Sequence, residues 1–254
     1  MKLYVLNIKT IIKYSLGALA LSVLIILNQA NSRTVFMEES VDKLPIYSVN
    51  TEEKICAVSF DAAWGAEDTD LLIEILAEHN VKATFFVVGE WVDKYPDEVK
   101  KISEAGHDIM NHSDTHPYMT KIDNITFINE IDNCSKKIEK ITNKKVTLFR
   151  APYGDYNSAV IKRLNSMNYY TIQWDVDSLD WKDLSAGEIY ERVTNKTKPG
   201  SIILFHNAAK HTPEALPDIL SKLKKDGFKF VKIADMIYKK DYYIDNTGKQ
   251  HKNK

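Results

Sequence analysis

Two histidines four residues apart, His112 and His116, have the spacing in this chain that points most directly to chemistry. They belong to the segment HSDTH, which follows an apolar run and precedes Pro117. Imidazole nitrogens at this separation can converge on one transition-metal ion. Two solvated loop histidines are the alternative, and the choice depends on which other reactive groups arrive at the same place.

Ionisable side chains follow most of the other apolar runs as well. Asp61 follows KICAVSF, Arg150 follows VTLF and His206 follows SIILF. Because α/β folds build their active sites where strands end and the following loops begin, these side chains are predicted to share one site. Three aspartates that follow the run YTIQW are predicted to lie in the same site: Asp175, Asp177 and Asp180.

The elements that must position these residues are short apolar runs alternating with amphipathic helices. The runs are rich in Val, Ile and Phe, which is typical of strands buried on both faces: KICAVSF, ATFFVVG, HDIMNH, VTLFR, YTIQW, SIILF and FKFVKI. Helical periodicity marks six segments between them: Asp68 to His79, Tyr95 to Ala105, Ile125 to Ile141, Ala159 to Met167, Ala186 to Thr197 and Pro213 to Lys225. This alternation predicts an α/β fold, a parallel (β/α) barrel or a distorted variant of one.

The N-terminal segment predicts export from the cell. The apolar run YSLGALALSVLIIL follows Lys2, Lys9 and Lys13, as in a secretory signal. The residues after it lack a clean small-x-small cleavage site, so residues 1–30 are expected to be either a signal peptide or an N-terminal membrane anchor. The protein is therefore expected on the outer face of the membrane, secreted or anchored.

Composition limits the number of domains and the class of partner. In 254 residues, 44% hydrophobic, we expect a linker at 31–53, one catalytic domain at 54–240 and a disordered polar, basic tail at 241–254. A net charge of -1 provides no field that would attract nucleic acid. Cys56 and Cys134 are expected to be core residues, neither a disulfide framework nor nucleophiles. A monomer is expected.

Five motifs in order make the chain resemble the polysaccharide deacetylases of the NodB-homology type, carbohydrate esterase family 4. They are SFDAAWG at 59–65, HSDTH at 112–116, RAPYG at 150–154, DSLDW at 177–181 and LFH at 204–206. The resemblance covers about residues 54–237 and implies a distorted (β/α) barrel of parallel strands. It also implies hydrolysis of the acetamide of an N-acetylated sugar, which releases acetate and leaves a free amine.

The resemblance implies an acid, a base and a metal. Asp61 would be the general base that takes a proton from the attacking water, and His206 would be the acid that protonates the departing amine. A divalent ion, zinc in the first place and cobalt or another ion otherwise, would be held by His112 and His116 and would polarise the acetyl carbonyl. Taken singly, Asp61 could be a turn cap and His206 a core histidine, and the set of motifs favours the catalytic reading.

Supporting roles follow from the same resemblance. Arg150 would hold the carboxylate of Asp61, and Asp180 would raise the pKa of His206. The backbone N–H of Tyr153 would stabilise the oxyanion. A structural salt bridge is the alternative for Arg150, and core packing is the alternative for the aromatic residues; the remaining two tryptophans are expected in the core. The implied substrate-binding residues are Tyr153, Trp181, Leu204 and Trp64.

One position departs from the family pattern, in which the first motif carries two consecutive aspartates. The second of them is a metal ligand in the family, and here Ala62 replaces it. A methyl group cannot coordinate a cation, so two imidazoles remain unless another carboxylate moves in. The loss is expected to weaken metal binding on the order of a hundredfold. Nearby candidates for a replacement ligand are Asp68, Asp70 and Asp114.

Three functions are compatible with these residues. The leading hypothesis is a metal-dependent N-deacetylase of a cell-wall or extracellular glycan, with peptidoglycan first because the DAAWG variant is similar to sporulation-associated cell-wall deacetylases. The second is a catalytically impaired protein of the same fold that binds cell-wall glycan. The third is an enzyme that cleaves an O-acetyl ester or a non-sugar amide. The partners implied by the first two are an N-acetylated glycan polymer and, through the N-terminal segment, a membrane.

Overall fold

A curled, largely parallel sheet forms the centre of the domain in the computed structural model, which describes residues 44–253. Its strands are β1 Ser48–Val49, β2 Ile55–Ala62, β3 Thr84–Val87, β4 Asp108–Asn111, β5 Leu148–Phe149, β6 Tyr170–Thr171, β7 Val176–Asp177, β8 Ser201–His206, β9 Lys229–Phe230, β10 Tyr242–Ile244 and β11 Lys249–Lys252. They follow the order β10-β11-β1-β8-β2-β3-β4-β5-β6, with β7 beside β8 and β9 beside β2. From β8 to β6 every pairing is parallel, as the alternation of elements predicts.

Helices cover the sheet and separate its parallel strands. They are α1 Thr69–Glu78, α2 Gly89–Lys94, α3 Pro96–Glu104, α4 Asn124–Thr142, α5 Ser158–Ser166, α6 Ala186–Lys196, α7 Thr212–Lys225 and α8 Ile233–Met236. The six predicted helices all form, each within one or two residues of its predicted ends. The sequence pattern does not predict helix α2, because its first residue, Gly89, is also the last residue of the apolar run ATFFVVG, which predicts a strand. The result is the expected distorted (β/α) barrel.

Local signals in the sequence fix where the longer helices begin. At the start of α4, the carboxylate of Asp123 accepts hydrogen bonds from the backbone N–H groups of Ile125 and Thr126. At the start of α6, Ser185 and Glu188 bond reciprocally to each other's backbone N–H groups. Such caps satisfy N–H groups that the first helical turn leaves without partners. Both helices therefore start at a position that the sequence specifies.

The segment expected to be a linker is partly a component of the barrel. The backbone N–H of Ile46 donates to Thr171 O at 2.9 Å, and Ile46 O accepts from the N–H of Gln173 at 2.7 Å. Two residues later, at Ser48, β1 pairs with β8. Residues 46–49 thus connect the β6 edge with β8, and the sheet curls back on itself. The predicted linker at 31–53 is wrong over residues 46–50, because backbone pairing with segments far along the chain orders residues whose own pattern is irregular.

The polar tail expected at 241–254 is also wrong over the described residues. Strands β10 and β11 form an antiparallel pair, and β11 adds to the sheet beside β1. The carboxylate of Asp245 shapes the turn between them by accepting from the N–H groups of Thr247 and Lys249. Gln250 is fully buried and bonds to both backbone groups of Tyr238. The charged residues of this segment are therefore carried by the folded strands β10 and β11 and by the turn between them.

Both cysteines are core residues, as predicted. Cys56 and Cys134 are free and fully buried. Burial raises the pKa of the Cys56 thiol to about 12, so it remains protonated and unreactive at neutral pH. The predicted N-terminal export segment at 1–30 lies outside the described residues. Within residues 44–253, no helix is both long and apolar enough to cross a membrane.

Candidate active site

The carboxyl ends of the parallel strands bring the motif residues to one cavity of about 500 Å³. Asp61 in β2 and His206 in β8 are register partners on adjacent strands. His112 directly follows β4, and Arg150 directly follows β5. The cavity is lined by Asp61, Ala63, Trp64, His112, His116, Tyr153, Trp174, Asp177, Trp181, Leu204 and His206. Arg150 and Asp180 are buried behind this lining, where they contact Asp61 and His206.

A buried ion pair fixes the carboxylate of Asp61. Arg150 is fully buried and donates from Nη1 to Asp61 Oδ1 at 2.7 Å and from Nη2 to the hydroxyl of Ser59 at 2.9 Å. Its guanidinium also lies over the ring of Phe86, 4.1 Å from the centroid. Burial raises the pKa of Asp61, but the charge and the hydrogen bond of Arg150 outweigh that effect and leave the pKa below its ordinary value. Asp61 is therefore an anion held in one orientation.

A second carboxylate holds the imidazole of His206. Asp180 Oδ1 lies 2.8 Å from His206 Nδ1, and Asp180 Oδ2 accepts from the backbone N–H of His206 and from the hydroxyl of Thr212. Burial lowers the pKa of His206, but the hydrogen bond and the charge of Asp180 outweigh it, so the pKa lies above its ordinary value. The protonated form is favoured, and Nε2 is the nitrogen left for another partner.

The two motif histidines stand together as neutral imidazoles. Their ring centroids are 5.0 Å apart. His112 Nδ1 lies 2.8 Å from the carbonyl oxygen of Arg150, so it carries the proton, and Nε2 lies 3.6 Å from Asp61 Oδ2. Burial lowers the pKa of both rings, that of His116 to about 4. Neutral imidazoles are the form that binds metal ions.

Two buried polar residues that the sequence analysis missed hold the histidine loop. Asn111 accepts from the backbone N–H of Ser113 at 2.7 Å. Glu130, on α4, accepts from the backbone N–H groups of Asp114 and Thr115. The loop needs this support because Ser113 has a φ of 70°, a left-handed conformation that costs a non-glycine residue free energy. Glu130 could have been found as a charged residue on the apolar face of a predicted helix.

The carboxylates do not complete a metal site around these histidines. Ala62 is 1% exposed and packs in the hydrophobic core. The three candidate replacements are engaged elsewhere: Asp68 accepts from the N–H of Ala208, Asp70 from Lys101 and Asp114 from Lys137. Among residues 44–253, no group of three or more His, Cys, Asp or Glu side chains is placed to hold a metal ion. The residues present thus do not fit the three-ligand arrangement of catalytic zinc sites.

Exposed aromatic rings surround the cavity. Trp64, Tyr153 and Trp181 are each more than half exposed, whereas Leu204 is buried in its wall. Trp174, expected in the core, also lines the cavity, and the guanidinium of Arg150 lies 5.5 Å from its ring centroid. Exposed aromatic rings around a largely apolar cavity that contains a few ionisable groups are typical of a ligand-binding surface.

Comparison with known proteins identifies the family of the chain. The family model for polysaccharide deacetylase matches residues 48–172. The chain is 34% identical to the peptidoglycan-N-acetylmuramic acid deacetylase PdaA of Bacillus subtilis, over 77% of this chain and 76% of the relative. It is also 34% identical to a peptidoglycan-N-acetylglucosamine deacetylase of Bacillus cereus, over 71% of this chain and 67% of the relative.

Solved structures of the same fold include a deacetylase and a protein described as a pseudoenzyme. The Bc1960 peptidoglycan N-acetylglucosamine deacetylase superposes with a TM-score of 0.74 at 32% identity, covering 76% of this chain and 92% of the other. BA3943 of Bacillus anthracis, described as a CE4 family pseudoenzyme, superposes with a TM-score of 0.74 at 34% identity, covering 82% and 72%. A mutant of BA3943 is described as having restored enzymatic activity. From its fold, its motifs and these relatives, the chain belongs to the polysaccharide deacetylase family.

Proposed function

We propose that this protein removes N-acetyl groups from the glycan of peptidoglycan on the outer face of the cell. The observation that carries the proposal is the pairing of Asp61 with His206 on adjacent strands of one cavity. The pKa of Asp61 is held below its ordinary value and that of His206 above it. These shifts favour Asp61 as a proton acceptor and His206 as a proton donor, the two roles that amide hydrolysis requires.

The contacts of the two side chains suggest the order of proton transfers. Arg150 occupies Asp61 Oδ1, so Oδ2 takes the proton of a water whose oxygen bonds to the acetyl carbon. The carbon–nitrogen bond of the resulting tetrahedral intermediate then breaks. His206, whose Nδ1 is held by Asp180, gives its Nε2 proton to the departing nitrogen. The products are acetate and a glycan amine, and Tyr153 is proposed to donate its backbone N–H to the oxyanion.

A divalent metal, zinc first, is the part of the proposal that the residues support least. When bound, such an ion would polarise the acetyl carbonyl. Because His112 and His116 provide only two protein ligands, we assign no step to it. We expect acetate release to be slow and to require added metal well above the protein concentration.

The choice of substrate rests on the relatives and on the cavity. The relatives act, by their names, on N-acetylmuramic acid and N-acetylglucosamine of peptidoglycan. The aromatic rim, with Trp64 and Trp181 more than half exposed, suits the apolar faces of sugar rings. Export by the N-terminal segment and a role in sporulation remain part of the proposal.

The second candidate is a glycan-binding protein of this fold that has lost catalysis. The buried methyl of Ala62 at the ligand position favours it, and so does the similarity to the pseudoenzyme BA3943. In this case the aromatic rim is retained for binding, while the ion pair of Asp61 and Arg150 is retained for stability.

Acetate release distinguishes the two candidates. Purified protein is incubated with N-acetylglucosamine oligomers and with peptidoglycan, with chelator, zinc or cobalt, and folding is checked by circular dichroism. The proposed enzyme releases acetate with added metal, and replacing His112 by Ala abolishes the release. A folded protein that contains no metal by elemental analysis, releases no acetate and sediments with cell wall would instead establish the binding function. A panel of O-acetyl esters tests the remaining alternative.

A further inference from the structure

The end of the barrel opposite the candidate active site carries an excess of basic side chains. The last turns of six helices and the connections that lead into the parallel strands form this end. These segments contain 13 lysines and arginines against 6 aspartates and glutamates, although the whole chain has a net charge of -1. They are residues 50–54, 75–83, 101–107, 139–147, 163–169, 193–200 and 222–229. We call this surface the basic face.

The cavity end of the barrel has the opposite charge. The connections that leave the strands, with the first turns of the helices, contain 11 acidic and 4 basic residues. They are residues 63–72, 88–92, 112–127, 150–161, 178–189 and 207–215. Acidic residues stabilise helix N-termini and basic residues stabilise helix C-termini, and these helices all run antiparallel to the strands they join. Helix stability therefore accounts for part of this separation of charge.

The helix C-termini do not neutralise the basic face. Each of the six contributes about half a negative charge, about three in all, against a surplus of seven positive charges. Some lysines bind the terminal carbonyls: Lys54 Nζ donates to Asp226 O at 2.8 Å, and Lys82 Nζ donates to Ala105 O at 2.6 Å. These bonds join neighbouring connections, so the basic groups belong to one continuous surface.

Other lysines of the face are exposed and come from different connections. Lys145 precedes β5, Lys198 precedes β8, and Lys229 begins β9. The C-terminal strand pair lies at the same end, because the Tyr170 hydroxyl donates to Lys239 O and β11 lies beside β1 near the start of β8. The charged residues found there are Lys239, Lys240, Lys249, Lys252, Asp175, Asp241 and Asp245. They add a further small positive excess.

We propose that the basic face docks on the anionic headgroups of a phospholipid membrane and directs the cavity away from it. The proposal goes beyond the removal of acetyl groups and does not depend on it. A broad array of lysines across the end of a barrel matches an extended anionic surface, which attracts each lysine near it. The same surface repels the acidic cavity end, so the field orients the protein as well as attracting it. A second copy stacked head to tail also matches the charges, but it would cover the cavity.

Vesicle binding by the full chain tests the basic face without requiring catalysis. Sedimentation compares vesicles of phosphatidylcholine with vesicles that also contain phosphatidylglycerol. At low salt the affinity for the anionic vesicles is expected to be about a hundredfold higher. The difference should disappear in about 1 M salt, where the Debye length is about 3 Å. The N-terminal segment is present in every variant, so differences between variants come from the face.

Charge reversal of two exposed lysines removes part of the basic face. Lys145→Glu combined with Lys198→Glu is expected to reduce the preference for anionic vesicles about tenfold or more. The matched control, Lys121→Glu combined with Lys210→Glu, makes the same change of net charge at exposed positions of the cavity end and should retain the preference. An unchanged preference in the first variant overturns the proposal. Circular dichroism checks folding, and the salt dependence of the unmodified protein is a test that needs no variant.

Tryptophan fluorescence reports the orientation on the membrane. Trp64, Trp174 and Trp181 line the cavity, and the remaining tryptophan, Trp91, donates to Gly65 O beside it. Brominated phosphatidylglycerol should therefore leave their fluorescence unquenched when the protein binds, and quenching would overturn the orientation.

Two further results would assign the basic face to another partner and overturn the membrane proposal. One is binding to soluble poly(glycerol phosphate) with no preference for anionic vesicles. The other is self-association at low salt, measured by light scattering, that the first variant abolishes. Preference for anionic vesicles that depends on salt and on the two lysines, without quenching, supports the proposal whether or not acetate is released.

Discussion

Asp61 and His206 are directly paired on two adjacent parallel strands, so the carboxylate and the imidazole reach the same cavity from neighbouring positions. Neighbouring strands in a sheet lie about 4.8 Å apart, so the carboxylate and the imidazole are close enough to act on the same bond of a substrate. The sheet thereby sets the separation of the two groups, and each of them has its own buried partner behind it.

Replacing Asp61 by Asn is expected to abolish proton acceptance. Acetate release should fall by about 10²- to 10⁴-fold, the usual contribution of a general base. The variant leaves the guanidinium of Arg150 without an anionic partner, so the free energy of unfolding should also fall by about 3 kcal/mol. Urea unfolding measures this loss. Asp218→Asn, at an exposed position of α7 outside the cavity, is the control and should change neither quantity. Full activity in Asp61→Asn would contradict the assignment.

Replacing Asp180 by Asn is expected to lower the pKa of His206. Burial alone lowers that pKa, and the carboxylate is what raises it above its ordinary value. The stability gained from the protonated pair is complete below the ordinary pKa of about 6.5 and is lost as pH rises through the folded-state pKa. NMR titration of His206 should therefore show its transition at lower pH in the variant. An unchanged transition would mean that Asp180 does not act on this imidazole.

Replacing Ala62 by Asp is expected to create a zinc-dependent gain in stability. In chelator, a carboxylate at this buried position should destabilise the fold, because a charge is buried without a partner. With zinc, a hundredfold gain in affinity corresponds to about 3 kcal/mol at saturating metal. Thermal unfolding with and without zinc measures the difference. Ala63→Asp, at the adjacent cavity-lining position, is the control; equal zinc shifts in both variants would exclude Ala62 as the missing ligand position.

Acid is expected to destabilise the protein partly through His107, away from the site. Burial, with smaller contributions from nearby lysines, lowers its pKa to about 4, and its Nδ1 accepts from the N–H of Ala83. The unfolded chain binds the proton near pH 6.5, so stability falls as pH drops from there to about 4, by about 3 kcal/mol. His107→Asn, which retains an acceptor but does not titrate, should show a shallower decline in urea unfolding between these pH values. Identical slopes would exclude His107.

The sequence predicts most of the α/β alternation because its signals are local. Helical periodicity and caps such as Asp123 are contained within a few residues, and all six predicted helices form. Ile46 and Gln250 are different, because their order comes from partners distant in the chain. Short polar strands at the edge of a sheet show no alternation of apolar and polar residues. The sequence therefore predicts a linker where β1 forms and a tail where β10 and β11 form.

The sequence predicts the reactive side chains of the candidate site but not the residues that hold them in position. Asp61, His112 and His206 end apolar runs, so their convergence follows from the topology of parallel strands. Asn111 and Glu130 hold the histidine loop from the end of a strand and from a helix face, where polar and charged residues have many ordinary explanations. Their contribution depends on a distance between segments that one sequence does not contain.

Arg150 ties together segments that are far apart in the chain, through Asp61 and Ser59 on β2, Phe86 on β3 and the carbonyl of Gln173. The fold needs these contacts whether or not the protein catalyses a reaction. The presence of Asp61 and Arg150 is therefore by itself no measure of catalysis, and the side chain at position 62 is the more informative one.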